Sequence, residues 1–177
     1  MTLTVDIRPA IADDAQDLAA FHVRIWRETY RGVAPAEAYA LLDEARRCDR
    51  WRASLSGEKP GMRTLLATLD GRIVGFVAFG PPGAEIFGDM GEVMHLYVDS
   101  ALAGRGLGKR LLGLAFDGLA AAGYRRAGLA VVAENANARA FYRAQGGAEI
   151  GKFTDPGPLW RSENVLVAWT LPVARPV

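Results

Sequence analysis

Cysteine occurs once in this chain, as Cys48, and histidine twice, as His22 and His95. A single thiol cannot close an intrachain disulfide, which excludes a stapled secretory scaffold and fits a reducing compartment. Cys48 reads as a half-buried helix residue rather than a nucleophile. So few thiol and imidazole donors make a structural zinc site improbable, and no metal is expected. An excess of one charge is also missing: 21 Lys and Arg stand against 20 Asp and Glu, a net +1. General binding to nucleic acid or to a membrane surface draws on a basic excess, so neither partner is expected. A local basic patch around Arg105, Lys109 and Arg110 is compatible with that balance. Long apolar runs are absent too. Asp117 interrupts even the most apolar helix, and no stretch approaches the length of a membrane span. The opening residues, "MTLTVDIRPAIADD", contain no apolar signal core. The expected location is the cytoplasm.

What is present is an ordinary globular composition: 177 residues, 50% hydrophobic and 23% charged. That length suits a single domain, residues 1–177, with a core of its own. "LTVDIRP" alternates apolar and polar residues and stops at Pro9, an opening strand. Asp13 and Gln16 have capping-box spacing, and Leu18, Phe21, Ile25 and Trp26 follow at helical spacing as far as Gly32. A second helical region with possible breaks follows Pro35. "MRTLLATLDGRIVGFVAFG" predicts two strands joined by an Asp70–Gly71 turn. A Pro/Gly loop leads to the strand "EVMHLYV" and then to a helix over about 106–122. Leu107, Leu111, Leu114, Ala115 and Leu119 give that helix one apolar face, and Gly123 closes it. "AGLAVVA" predicts a strand and "NANARAFYRAQGG" a short helix capped by Asn135. "AEIGKFT" and "NVLVAWTLP" predict the last two strands. The order β-α-α-β-β-β-α-β-α-β-β is that of a mixed α/β (α+β) protein with helices against a sheet.

The chemistry concentrates between "HLYV" and the next helix. Gly104, Arg105, Gly106, Leu107, Gly108 and Lys109 put three glycines and two cations ahead of a leucine-rich helix. Glycine lets main chain approach a ligand closely, and a helix start offers unpaired N–H groups and a positive dipole end. Phosphate is the natural guest. Two familiar phosphate loops fail. A Walker A loop needs glycine where Ala103 stands and a hydroxyl where Arg110 stands. A dinucleotide fingerprint needs glycine at Lys109, and the strand before the loop follows a hairpin rather than opening a βαβ repeat.

The stretch "HLYVDSALAGRGLGKRLL" resembles the pyrophosphate loop of the GNAT superfamily, the acetyl-CoA-dependent N-acetyltransferases. Leu96–Tyr97–Val98 match its strand end, and Gly104, Arg105, Gly106, Gly108 and Lys109 its loop. "ENANARAFYRAQGG" is similar to the helix N-x-x-A-x-x-F-Y-x-x-x-G of that superfamily, through Asn135, Ala138, Phe141, Tyr142 and Gly146. The two motifs at this separation carry far more weight than either alone. Two positions depart from the pattern. Ala103 replaces a Gln or Arg at the head of the loop, and Gly147 replaces an aromatic residue after the helix.

The resemblance implies a GNAT-like mixed central sheet of about seven strands flanked by about four helices. It implies transfer of an acetyl group from acetyl-CoA to a primary amine by direct attack in a ternary complex. The runner-up is a non-catalytic acyl-CoA-binding or regulatory protein on the same fold, either of them a monomer or a homodimer. On this resemblance Gly104 to Lys109 hold the pyrophosphate. The backbones of Leu96 and Val98 pair with the pantetheine arm, while their side chains serve the core. Asn135 contacts the cofactor as well as capping its helix, and Tyr142 protonates the departing sulfur, its alternative being a core tyrosine beside Phe141. The general base is open between Glu92 and His95, because strand alternation separates them onto opposite faces unless a bulge intervenes. Tyr30 and Trp160 are candidates for the acceptor pocket, with Trp26 assigned to packing.

Overall fold

A computed structural model describes residues 4–172, so Leu3 of the expected first strand lies outside the described residues. The strands are β1 (Asp6–Pro9), β2 (Arg63–Leu69), β3 (Arg72–Gly80), β4 (Gly91–Val98), β5 (Arg126–Val132), β6 (Ala148–Thr154) and β7 (Glu163–Thr170). The α-helices are α1 (Ala15–Thr29), α2 (Ala36–Leu41), α3 (Glu44–Leu55), α4 (Leu107–Ala121) and α5 (Ala136–Ala144). All seven strands join one mixed sheet in the order β1-β2-β3-β4-β5-β7-β6. Every neighbouring pair is antiparallel except β4 and β5, which are parallel.

Local chemistry explains most of these elements. Asp70 and Gly71 both take positive φ, 51° and 76°, the conformation a two-residue hairpin turn requires. The helical region after Pro35 breaks at Leu42–Asp43, where the Asp43 side chain accepts the Ala45 N–H at 2.7 Å and starts α3. The expected capping pair at Asp13 is not what opens α1. Asp14 holds the N-cap position without capping through its side chain; its carboxylate closes the short turn before the helix, accepting the Ile11 N–H at 2.8 Å, and pairs through both oxygens with Arg8.

The sheet is covered on both faces. On one, Phe76 and Ala78 of β3 pack beneath Leu18, Phe21 and Ile25 of α1 and Trp51 of α3. On the other, Val77, Phe79 and Val93 meet Leu111, Leu112, Ala115 and Leu119 of α4. Leu112 takes the buried place that helical spacing gives to Leu114, which is half-buried. Helix α4 lies so close to β3 that a Cβ at Gly118 would come within 2.4 Å of Phe79. Gly147 is similarly hemmed in, by Val167 and Trp169. The Trp169 ring fills the space beside Gly147, and its Nε1 donates to the Gln145 carbonyl at 3.1 Å. The aromatic missing after α5 is thus supplied from β7.

Candidate functional site

Strands β4 and β5 hold one another at only two positions, Gly91 with Ala127 and Glu92 with Gly128. Beyond Glu92, β4 continues its ladder with β3 on one side alone. The two parallel strands diverge around a cleft of about 420 Å³. Its walls include Leu96 and Val98 from β4, Val131 from β5, Asn135 and Tyr142 from α5, and Tyr30 from the end of α1. An interior sheet edge left without a partner offers main-chain donors and acceptors to an extended ligand.

The glycine-rich loop follows directly from the open strand. Gly104 and Gly106 take φ of 74° and 81°, a region that favours glycine, and the space where a Cβ would point is open at both. Among the described residues no side chain caps α4, and the N–H groups of its first turn have no partner within the helix. Buried Leu102 and Leu107 pin the loop from below, while Arg105 and Lys109 are exposed. Asp99 ties it to α1. Its carboxylate pairs with Arg24 at 2.8 Å and accepts the Ala101 N–H at 3.0 Å, and both interactions hold it below the usual carboxylate range. Gly108 differs from the other two glycines. A Cβ there would meet Phe141 at 3.4 Å, so this position serves the contact of α4 with α5.

Tyr142 is buried, with its ring edge-on to Trp169 at 5.9 Å. Burial, reinforced by the neighbouring Tyr30, pushes its phenol above the ordinary tyrosine range. A hydroxyl so placed holds its proton until a strong acceptor arrives. Asn135 caps α5, its Oδ1 accepting the Ala138 N–H at 3.1 Å, and also lines the cleft. Tyr30 and Tyr97 meet at the cleft through their phenols, and burial raises both. Trp26 is core, its ring tilted against that of Tyr30 with centroids 5.0 Å apart. Trp160 stands edge-on behind Tyr30 at 5.8 Å rather than in the cleft wall.

Glu92 and His95 share a face after all. Gly80 pairs with Glu92 and Ala78 with His95, which leaves Met94 bulged out of the ladder. The extra residue cancels the alternation that would separate them. Their environments push their proton affinities toward each other and past. Burial, with the charges of Arg47 and Lys59, depresses His95 to about 3. Burial raises Glu92 above the ordinary glutamate value, although its Oε2 accepts the Gly83 N–H at 2.7 Å. Glu92 is therefore the stronger base of the two. It stands back from the cleft wall, whereas His95 is part of it.

A family model, the acetyltransferase (GNAT) family, matches residues 20–146, which include the open strand, the glycine-rich loop and the Tyr142 helix. The chain belongs to the GNAT acetyltransferase family. Like other members it is an acyltransferase, and its fold is the GNAT fold. The uncharacterized N-acetyltransferase YuaI of Bacillus subtilis is 29% identical over 143 residues, 79% of this chain and 78% of that protein. The mycothiol acetyltransferase of Clavibacter michiganensis is 35% identical over 136 residues, 75% of this chain but 39% of that larger protein. Among solved structures, the PaiA N-acetyltransferase of Thermoplasma acidophilum in complex with coenzyme A superposes with a TM-score of 0.70 at 18% identity, covering 95% of this chain and 99% of that one. The GNAT cleft of this chain brings together Leu96, Val98, Asn135, Tyr142 and Tyr30 from the sequence-based candidates. It also holds His95, one of the two candidate bases, with Tyr97, read from the sequence only as part of the strand-end motif, and Met94, which sequence reading did not single out. Only the bulge, invisible in a single strand's pattern, would have drawn attention to Met94.

Proposed function

We propose that this protein transfers the acetyl group of acetyl-CoA to the primary amine of an acceptor by direct attack within a ternary complex. One observation carries the reading: the parted edge of β4 runs straight on into the glycine-rich loop as one stretch of main chain, and the buried Tyr142 lines the same cleft. The residues fit the co-substrate. The open sides of Gly104 and Gly106 and the uncapped start of α4 suit a pyrophosphate, with Arg105 and Lys109 adding charge. Gly108 keeps α4 close enough for the loop to reach. The unpaired edge at Leu96 and Val98 suits the amide-bearing pantetheine arm, and Asn135 faces the same space. Acetyl-CoA supplies an activated thioester carbonyl.

The chain's own residues then handle protons and charge. A β4 N–H facing the cleft donates to the carbonyl oxygen as it gains negative charge. Glu92, the stronger base, takes the proton of the attacking amine through water, and His95 stays neutral on the cleft wall. As the new C–N bond forms and the C–S bond breaks, the Tyr142 hydroxyl gives its proton to the sulfur. Tyr30 helps shape the acceptor end, with Trp160 supporting it from behind. The test is coenzyme A release from acetyl-CoA across primary amines, in wild type and Tyr142→Phe. The substitution keeps the ring against Trp169 and removes only the hydroxyl. Turnover falls about a hundredfold, the lower end for lost general acid catalysis, with acetyl-CoA affinity unchanged. Wild-type turnover in Tyr142→Phe, with chemistry rate-limiting, returns this tyrosine to the core.

A further inference from the structure

His95 and Met94 form part of two walls. One faces the cleft between β4 and β5, and the other faces a groove of about 400 Å³ on the α3 side, lined also by Arg47, Arg50 and Lys59. Along α3 that groove shares Arg47 and Arg50 with a smaller hollow of about 160 Å³, where Arg46 joins them opposite Leu159. The walls of the two hollows together carry four cations against two carboxylates, Asp43 and Glu58. Asp43 is engaged in capping α3.

Arg47 is the informative residue. Its side chain is half-buried, and among the described residues no carboxylate lies within the 4.0 Å of an ion pair and no hydrogen bond satisfies its guanidinium. Among the described residues the other half-buried arginines are paired, Arg8 with Asp14 and Arg139 with Glu149. Removing a guanidinium from water without a counter-ion is unfavourable, and a second cation, Arg50, makes it worse. Both effects pull Arg47 below the ordinary arginine value. The charge of Arg47 bears on His22, His95 and Tyr97, so it stands beside the cleft rather than on the outer surface. A guanidinium fork of this kind matches a carboxylate or a phosphate. The groove has the size of a small-molecule site.

We propose that the acceptor is a small primary amine that carries its own carboxylate or phosphate, held by Arg47 with Arg50 while its amine reaches past His95 to the cleft. This rests on the acetyltransferase reading and adds the substrate class.

The test uses amines matched in length: ω-amino carboxylates, ω-aminoalkyl phosphates, alkylamines and diamines, with a peptide N-terminus as a further arm. Coenzyme A release is measured in wild type, Arg47→Gln and Arg47→Lys, with thermal melting to establish folding. In wild type an anionic amine exceeds its uncharged analogue at least tenfold in kcat/KM, and the carboxylate and phosphate arms show which anion is bound. Arg47→Gln raises the KM of that amine by roughly ten- to hundredfold, the size expected for one charge-assisted contact, with kcat within about threefold. Arg47→Lys recovers part of the loss, and the KM of the uncharged analogue does not move. Preference for a diamine, an uncharged amine or the peptide overturns the proposal. So does a KM that rises equally for every amine in Arg47→Gln, or no turnover of any anionic amine by a protein that acetyl-CoA stabilises against heat. Absence of that stabilisation overturns the acetyltransferase reading beneath it as well.

Discussion

Gly106 stands at the head of α4 with φ of 81° and open space where a side chain would project. Alanine there takes on left-handed strain of about 1–2 kcal/mol and places its methyl on the side from which a phosphate would come. Gly106→Ala therefore melts a few degrees lower and loses the thermal stabilisation that acetyl-CoA gives the wild type. Gly108 gives a different outcome for a geometric reason. Its Cβ would point at Phe141, so Gly108→Val disturbs the α4–α5 contact and reports on stability before it reports on binding. A Gly106→Ala protein that binds acetyl-CoA normally, measured by calorimetry, removes the loop from the phosphate site. The base is a matter of environment at the same scale. Opposite shifts at Glu92 and His95 reverse the order of two groups that in water would rank the other way.

At the scale of elements, much was legible because local chemistry decides it. The Asp70–Gly71 hairpin, the strand ending at Val98, the loop glycines and the Asn135 cap each carry their signal within a few residues. The features that make the site are long-range. Nothing within "EVMHLYV" or "AGLAVVA" says that β4 and β5 part after two pairs, since that depends on how each strand is held by its other neighbour. The bulge at Met94 is set by the register with β3, and it overturns simple alternation for Glu92 and His95. Trp169 beside Gly147 brings together residues far apart in the chain, so a position that lacks its usual aromatic looks defective in sequence and is filled in space. Arg47 reads in sequence as one of several cations on a polar helix. Only its half-burial beside β4 separates it from the exposed Arg46 and Arg50.

For the whole molecule, both histidines of the chain are held below their ordinary value, His22 by burial and by His95 and Arg47. Trp51 Nε1 donates to His22 Nδ1 at 3.2 Å, which fixes a neutral ring with its proton on Nε2. The unfolded chain binds protons at both rings near pH 6.5 and the folded chain does not, so stability rises with pH across the interval from about 3 to 6.5. Glu92, raised in the folded state, works in the opposite sense, and Asp14 and Asp99, both lowered, lose their contribution only nearer pH 4. Two histidines against one glutamate leave a net loss of stability on acidification from pH 7 to pH 5. Urea midpoints over that range check it. The slope decreases in His95→Gln, and a flat wild-type profile contradicts the buried neutral pair.

The central claim is that the parted edge of β4 and the loop after it form one binding surface for acetyl-CoA. Amide hydrogen exchange with and without acetyl-CoA tests it most directly. The account predicts slowed exchange at Leu96 to Val98 and at Gly104 to Lys109, with the β2–β3 hairpin unchanged. Measurable binding of acetyl-CoA that leaves both segments exchanging at their free rates would contradict it.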